Sequence, residues 1–217
     1  MSSFPGSPRL IKGGIVLLNA STSAVEKIIT LQYNPDTISR TLQVQGAGDS
    51  GGNRSEALRL AGPPVETIKL EAEIDATDKM ESGDSQTAEF GIQPQLAVLE
   101  TLIYPKSSQM NFNNGVAKLG TIEILAMETP LILFIWNKNR IIPVRITEFS
   151  VTEEAFDPML NPIRAKVSLG MRVLSTDDLG FDHKGGNLFM SYQQNKERLA
   201  AKFSSGKLQD LGINAIS

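Results

Sequence analysis

Three carboxylates at alternate positions, Glu71, Glu73 and Asp75, are the most suggestive chemical group in the sequence. On an extended strand such residues project to one side, so they would lie together, as the paired acids of a glycoside hydrolase do. However, the residues of opposite parity between Ile68 and Ile74 are all apolar. That alternation is typical of a half-buried strand with one aqueous face, which explains the acids without a reaction.

The acids that follow this strand suggest calcium binding, and a nearby glycine-rich run suggests phosphate binding. The series Asp75, Asp78, Glu81 and Asp84 does not have the spacing of an EF-hand loop and lacks its terminal bidentate glutamate. The glycines of 46–52 are not followed by the Lys-Ser/Thr pair of a phosphate-binding loop. We therefore interpret 75–89 as an acidic loop and 46–55 as a flexible connection, without a metal site.

The scarcity of other reactive groups also argues against a catalytic or metal site. The sequence contains no cysteine and a single histidine, His183, between two charged residues. Thiol chemistry, disulfides and cysteine-bound metals are thus excluded, and a catalytic triad has no evident nucleophile to accompany the histidine. Phe134 and Trp136 are typical of a core or an interface rather than a cofactor stack. We expect no catalytic, cofactor or metal residues, and no enzyme activity.

Composition describes an ordinary globular chain. The 217 residues include 21 Lys+Arg and 24 Asp+Glu, for a net charge of −3, and 41% are hydrophobic. A mildly acidic surface disfavours nucleic acid as a partner. The longest apolar run, Leu131–Trp136, is far shorter than the roughly 20 residues that cross a bilayer, so we expect no membrane insertion.

Hydrophobic periodicity predicts a chain dominated by β-strands, about eight in all. We predict strands at Gly14–Asn19, Val25–Tyr33, Ser39–Gln45, Val65–Asp75, Thr121–Met127, Leu131–Trp136, Arg140–Ile146 and Ala165–Val173. One helix is predicted at Pro94–Tyr104, where Leu96, Leu99 and Leu102/Ile103 form a stripe. A slip in alternation near Phe149–Val151 predicts a β-bulge.

The domain organisation predicted from these elements has three parts. Residues 1–13 form an arm, 14–175 the β domain, and 176–217 a C-terminal extension. In the extension, Asn187–Phe203 predicts a helix with no module within the chain to pack on. Its apolar residues Leu188, Tyr192, Leu199 and Phe203 are therefore predicted to dock on a neighbouring protein.

Four ordered stretches carry a resemblance to a known family: LQYNPDTISRTL (Leu31–Leu42), GPPVETIKLEAEIDATDKME (Gly62–Glu81), GIQPQLAVLETLIYP (Gly91–Pro105) and Phe134–Leu174. Together they resemble the tube-fold domain of contractile injection systems. The sequence is similar in particular to the baseplate-side tube protein that in many relatives carries a C-terminal LysM module. The residues after Leu174 are too few for that module, so we expect none.

The resemblance implies a mainly β fold: a tube-fold antiparallel β-barrel or sandwich of two packed sheets with one flanking helix. It implies a homo-hexameric ring that joins the central spike to the inner tube and initiates tube assembly. Spike protein, inner-tube rings and baseplate wedge proteins are the implied partners. We expect synthesis in the cytoplasm and assembly into a phage tail-like particle, which is cytoplasmic, membrane-anchored or released.

The long apolar hairpin 131–146 is the predicted inter-subunit contact, because an exposed apolar edge would otherwise invite aggregation. The side chains assigned to it are Leu131, Leu133, Phe134, Trp136, Ile142, Val144 and Ile146.

Three alternatives remain open from the sequence. A bulk inner-tube protein would be present in many rings per particle, whereas a baseplate-side ring protein would be present in one or two. A monomeric β-barrel that binds a small ligand would need an apolar interior pocket. A hydrolase using the acidic loop would need a nucleophile and a base, for which the sequence offers no pair.

Overall fold

A computed structural model describes residues 10–19, 21–46, 58–118 and 129–216 of the chain. Within these residues the fold is mainly β, as predicted, with seven antiparallel strands in one sheet of order β2-β1-β5-β6-β7-β4-β3. The strands are β1 Gly14–Leu18, β2 Val25–Thr30, β3 Ile38–Gln43, β4 Val65–Asp75, β5 Leu131–Asn137, β6 Arg140–Glu153 and β7 Arg164–Val173. The predicted strand Thr121–Met127 lies outside the described residues.

The long strand β6 divides the sheet into two halves. Its first part pairs with β5 and its second part with β7, and Val144 is the one β6 residue paired on both sides. A register shift between Ile146 and Glu148 confirms the predicted bulge, slightly earlier than expected. Bulges bend a strand and increase its twist, so β6 turns the corner between β2-β1-β5 and β7-β4-β3.

The expected two packed sheets are therefore one sheet that curls. The side-chain amide of Gln32, just after edge strand β2, donates to the Asp75 carbonyl at 2.7 Å and accepts from the Asp75 N–H at 3.0 Å. This contact joins the region of β2 to the end of β4, five strands away in the order. The expectation of a closed barrel was wrong, because among the described residues no ladder joins β2 to β3 or β4.

The core lies inside the curl and draws on both halves. Ile15 and Phe134 of the first half and Val167, Leu169 and Met171 of the second are each 2% exposed or less. A second, smaller cluster lies on the opposite face of the first half and consists of Leu18, Leu131 and Leu133. The first half is thus apolar on both faces, whereas β4 and β7 present alternate residues to solvent.

Helices cover the core. They are α1 Thr77–Glu81, α2 Ser85–Phe90, α3 Gln93–Glu100, α4 Ser107–Lys118, α5 Thr176–Leu179 and α6 Lys184–Ala200, with a 3₁₀ turn at Leu208–Leu211. Helix α3 confirms the predicted stripe, since Leu96, Leu99 and Leu102 are buried. The one helix predicted within the β domain was too few, and the predicted acidic loop contains α1 and α2. Asp84 is the cause in α2: as N-cap, its carboxylate accepts from the Thr87 N–H at 2.9 Å.

Gly91 fixes how α2 and α3 meet the loop between β6 and β7. Its φ is +58°, and a Cβ there would lie 2.2 Å from the Pro162 carbonyl oxygen. We expect Gly91→Ala to lower the free energy of unfolding by about 3 kcal/mol, because left-handed strain and a backbone clash add. Gly83→Ala is the matched control: φ is +75° with open space around it, so only about 1 kcal/mol should be lost. Equal losses in urea unfolding would contradict the role of the close approach.

Candidate functional site

The alternate carboxylates that suggested paired-acid chemistry lie on a solvated strand face. Arg164 on the adjacent strand donates to Asp75 at 2.8 Å and lies 3.8 Å from Glu73. The pKa of Asp75 is lowered, first by the hydrogen bond from the Thr77 hydroxyl and further by Arg164. Asp75 and Glu73 therefore lie in cross-strand pairs with Arg164, which is a structural use of the charges.

The other chemical candidates also have structural places. His183 is the N-cap of α6, and its Nδ1 accepts from the Gly185 N–H at 3.1 Å. Phe134 stacks with Trp136 at a centroid distance of 6.2 Å, next to the core. Among the described residues, no group of three or more His, Asp or Glu side chains is arranged to hold a metal ion.

The two edge strands, β2 and β3, are the most exposed strands of the sheet. Among the described residues each pairs on one side only, so no described strand covers the backbone donors and acceptors of its other side. Apolar side chains accompany both edges: Val25 and Ile28 on β2 are 58% and 65% exposed, and Leu42 on β3 is 44% exposed. Unpaired edges with exposed apolar residues are suited to strand addition by another chain.

The hairpin 131–146 is not such an edge, and the prediction that it forms one was wrong. Strand β5 lies between β1 and β6, and β6 between β5 and β7, so pairing within the chain satisfies both. Five of the side chains predicted for the interface are each 8% exposed or less: Leu131, Leu133, Phe134, Ile142 and Val144. For Trp136 and Ile146, which are partly exposed, contact with a neighbouring subunit stays a prediction.

The outer face of β6, β7 and β4 is charged and cross-linked by ion pairs. Lys69 on β4 reaches Glu148 on β6 at 2.6 Å, across Gly170 of the intervening strand β7. A Cβ at Gly170 would lie 2.8 Å from the Glu148 Cβ, so the glycine makes room for this pair. Lys166 pairs with Glu154 at 3.1 Å. This face of β4, β6 and β7 therefore carries charges of both signs, several of them paired, and is hydrated.

A buried carboxylate, Glu66, anchors helix α6 to the sheet, and the sequence analysis missed it. Its side chain is 3% exposed and its Oε1 accepts from Arg40 of β3 at 2.7 Å. The Tyr192 hydroxyl of α6 donates to the same oxygen at 3.0 Å and accepts from Arg40 at 3.0 Å. Lys196 lies 3.4 Å from Oε2 and 4.1 Å from the centre of the Tyr192 ring. We call these four residues the helix anchor.

The helix anchor keeps the Tyr192 hydroxyl protonated. Burial, and then the charge of Glu66, raise the pKa of Tyr192 to about 12, so its hydroxyl remains a donor. The sequence did contain a sign of this site. Glu66 is separated from Ile68 and Leu70 by even numbers of residues, so on a strand it lies on the apolar side of β4 with them. An acid on a core face requires partners, which here come from an edge strand and from the C-terminal helix.

The anchor corrects the expectation that the C-terminal helix has nothing to pack on. Tyr192 is 3% exposed, and Leu188 packs against the second apolar cluster. These two residues are therefore used within the chain. Leu199 and Phe203 are 49% and 81% exposed, and for them docking on another protein stays a prediction.

No helix in the described part of the chain has both the length and the apolar character required to cross a membrane. The prominent surfaces of the described part of the chain are two unpaired sheet edges, a charged strand face and an exposed C-terminal end. Such surfaces can carry assembly, whereas the candidate chemical groups Asp75, Asp84 and His183 are used in an ion pair and in helix caps.

Comparison with known proteins gives one family. Residues 15–179 match the family model described as "Contractile injection system tube protein". No curated protein sequence matches the chain. A solved chain from "Tail of empty GTA particle computed with helical refinement, C6 symmetry" aligns with a TM-score of 0.29 and 13% identity, over 75% of this chain and 90% of that one. That similarity is too low to carry an argument.

Proposed function

Because the chain belongs to the contractile injection system tube protein family, we propose that six copies close into a ring by joining β2 of one copy to β3 of the next. The family makes the protein a structural component of the injection tube. In the ring, each subunit pairs both of its edge strands with strands of its two neighbours.

The observation that carries this proposal is that β2 and β3 each lack a second partner strand among the described residues, whereas every strand between them is paired on both sides. Strand β2 begins the order and β3 ends it, so each copy offers two different edges. A contact between different surfaces is heterologous and closes when the rotation between copies divides a full turn. Six-fold closure covers every edge, which removes the aggregation hazard of free strands.

We assign the charged face of β4 and β7 to the wall of the ring's lumen. Strand alternation places the apolar side chains on the core side and Lys69, Glu71, Glu73, Lys166 and Arg172 on the other side. A water-filled channel favours a hydrated wall, and cross-strand pairing keeps the wall from presenting a field of one sign.

The position proposed for the ring is the baseplate side of the tube, where it joins the spike and initiates tube assembly. The anchored helix α6 supports this, since it lies beyond the family match, which ends at residue 179, and the exposed apolar residues Leu199 and Phe203 are at and just after its end. Such an extension offers a contact for spike or wedge proteins that a bulk tube ring does not need.

The test is a reconstruction of the assembled particle, combined with the mass of the purified ring. We expect a hexamer by native mass spectrometry, and one or two rings of this chain between spike and tube. Many rings along the tube would identify a bulk tube protein instead. A stable monomer under particle-forming conditions would overturn the ring and favour a monomeric ligand-binding fold.

A further inference from the structure

An open groove lies on the core side of strands β1 and β2. It has a volume of about 1230 Å³ and is lined by these two strands, by the segment that joins α3 to α4 and by the residues just before β5, among them Leu17, Lys27 and Ile103. Ile103 is 44% exposed. A cavity of about 150 Å³ accommodates a benzene ring, so the groove has room for a large side chain and the backbone that carries it. Helix α6 of the same copy does not line it.

Helix α6 runs across the strands of the sheet toward the β3 edge. At its start, a Cβ on Gly185 would lie 3.2 Å from the Leu131 side chain of β5. Eleven residues later, Lys196 lies 3.4 Å from Glu66 of β4. Eleven helical residues span about 16 Å. The three steps from β5 to β4 span about 14 Å, so the helix crosses the strands as it advances.

The end of α6 reaches beyond the last strand of its own sheet. Phe203 follows Lys196 by seven residues, and its N–H still donates to the Ala200 carbonyl at 3.0 Å. Seven residues add about 10 Å, which is two strand spacings from β4. The first spacing leads to β3, and the second leads to the position of a strand added at the β3 edge. Leu199 and Phe203, which are 49% and 81% exposed, present apolar surface there.

A row of cross-strand neighbours places the groove and the end of α6 at the same level of the sheet. The row begins at Lys27 of β2, ends at Leu42 of β3 and passes through Leu17, Ile132, Val144, Val173 and Glu66. Its first members line the groove, and Glu66 near its end holds Lys196 of α6. A ring that continues this row from one copy to the next therefore brings the groove of the next copy beside the end of α6.

We propose that the end of α6 crosses the subunit boundary and seats Phe203 in the groove of a second copy of this chain, the next one in the ring. This inference rests on the proposed ring, to which it adds a lateral contact on the core side of the sheet. Charge favours the contact, since Lys202 beside Phe203 and Glu100 at the groove have no ion-pair partner among the described residues. Leu211 and Ile216, which are 74% and 82% exposed, are left for the spike or wedge contact.

Cross-linking tests the contact, because the sequence contains no cysteine. Phe203→Cys marks the helix end and Ile103→Cys marks the groove. When the two variants are co-assembled and treated with a short bismaleimide, we expect a covalent dimer that contains one chain of each. Neither variant alone should give one. Met159→Cys, at a residue 70% exposed before the other end of β7, replaces Ile103→Cys as the control and should not cross-link.

The outcomes separate this contact from the ring itself. Hexamers without the mixed cross-link would overturn the helix contact and leave the ring. A mixed cross-link in assemblies that never close into hexamers would support the helix contact and overturn the ring. The absence of both would overturn both.

Hydrogen exchange measures the same contact without a new bond. We expect the amides of 199–203 to exchange at least about tenfold more slowly in the ring than in the monomeric Ile28→Lys variant, as for burial of one large apolar side chain. Phe203→Ser should remove that protection and keep the hexamer, because the strand edges still pair. Leu211→Ser, at a similarly exposed residue, should keep the protection. Equal exchange in ring and monomer, or full protection in Phe203→Ser, would overturn the contact.

Discussion

Replacing Ile28 by lysine is expected to abolish the ring and leave a folded monomer. Ile28 is 65% exposed on the free edge strand β2, so the substitution should change the free energy of unfolding by less than about 0.5 kcal/mol. In the ring the lysine would have to be desolvated next to a neighbouring β3 strand. That penalty is several kcal/mol, so we expect subunit affinity to fall about a hundredfold or more.

Because β2 and β3 are different edges, each can be blocked separately, and mixing the two variants tests which edge pairs with which. Leu42→Lys blocks β3 in the same way, at a residue that is 44% exposed. Each variant alone should be monomeric. A mixture should form a one-to-one heterodimer and nothing larger, since only the β3 edge of the first and the β2 edge of the second remain intact.

Analytical ultracentrifugation distinguishes these outcomes. Tyr104→Lys, at a residue 67% exposed outside the sheet, serves as the control and should remain hexameric. Dimers of Ile28→Lys alone would indicate that like edges pair, and hexamers of Ile28→Lys would show that β2 is not in the ring contact.

Removing the carboxylate of Glu66 should have the largest effect on the stability of the subunit itself. We expect Glu66→Ala to lower the free energy of unfolding by about 3 kcal/mol, the lower end for breaking a buried ion pair. The lower end applies because Arg40 and Lys196 are 27% and 33% exposed, so water can reach the two cations that lose their partner. Urea unfolding measures the loss, and hydrogen exchange should show α6 released before the strands.

Two comparisons isolate the helix anchor from a general loss of charge. Glu71→Ala, on the same strand but on its solvent face, should change stability by less than about 0.5 kcal/mol. Tyr192→Phe removes a single hydroxyl and should cost about 1 kcal/mol. Because both groups share one network, the double variant should lose less than the sum. Additive losses would show that Glu66 and Tyr192 act separately.

The sequence predicted those elements whose signal is periodic and local. Val65–Asp75 alternates in polarity, and the structure has a strand over the same residues. The stripe of α3 and the bulge in β6 were predicted for the same reason. Helices α1 and α2 were missed because a run of acids was interpreted as a solvated loop, although Asp84 three residues before Thr87 is a helix-capping arrangement.

The candidate site was less predictable because its parts come from distant positions in the chain. The apolar run Leu131–Trp136 fits either an exposed edge awaiting a partner or an interior strand covered on both faces. Strand pairing decides between them, and it places β5 beside β1, more than a hundred residues earlier in the sequence. We therefore propose β2 and β3, rather than this hairpin, for the inter-subunit contact.

By itself the sequence determined the mainly β character, the absence of thiol chemistry, and which side of β4 is wet. These follow from composition and from side-chain direction, which the backbone of each residue fixes locally. The order of strands, the two open edges and the Glu66–Tyr192 contact were decided only by the tertiary structure. Residues far apart in the chain meet there because the curled sheet must bury one continuous core, and no local pattern encodes which partners that core brings together.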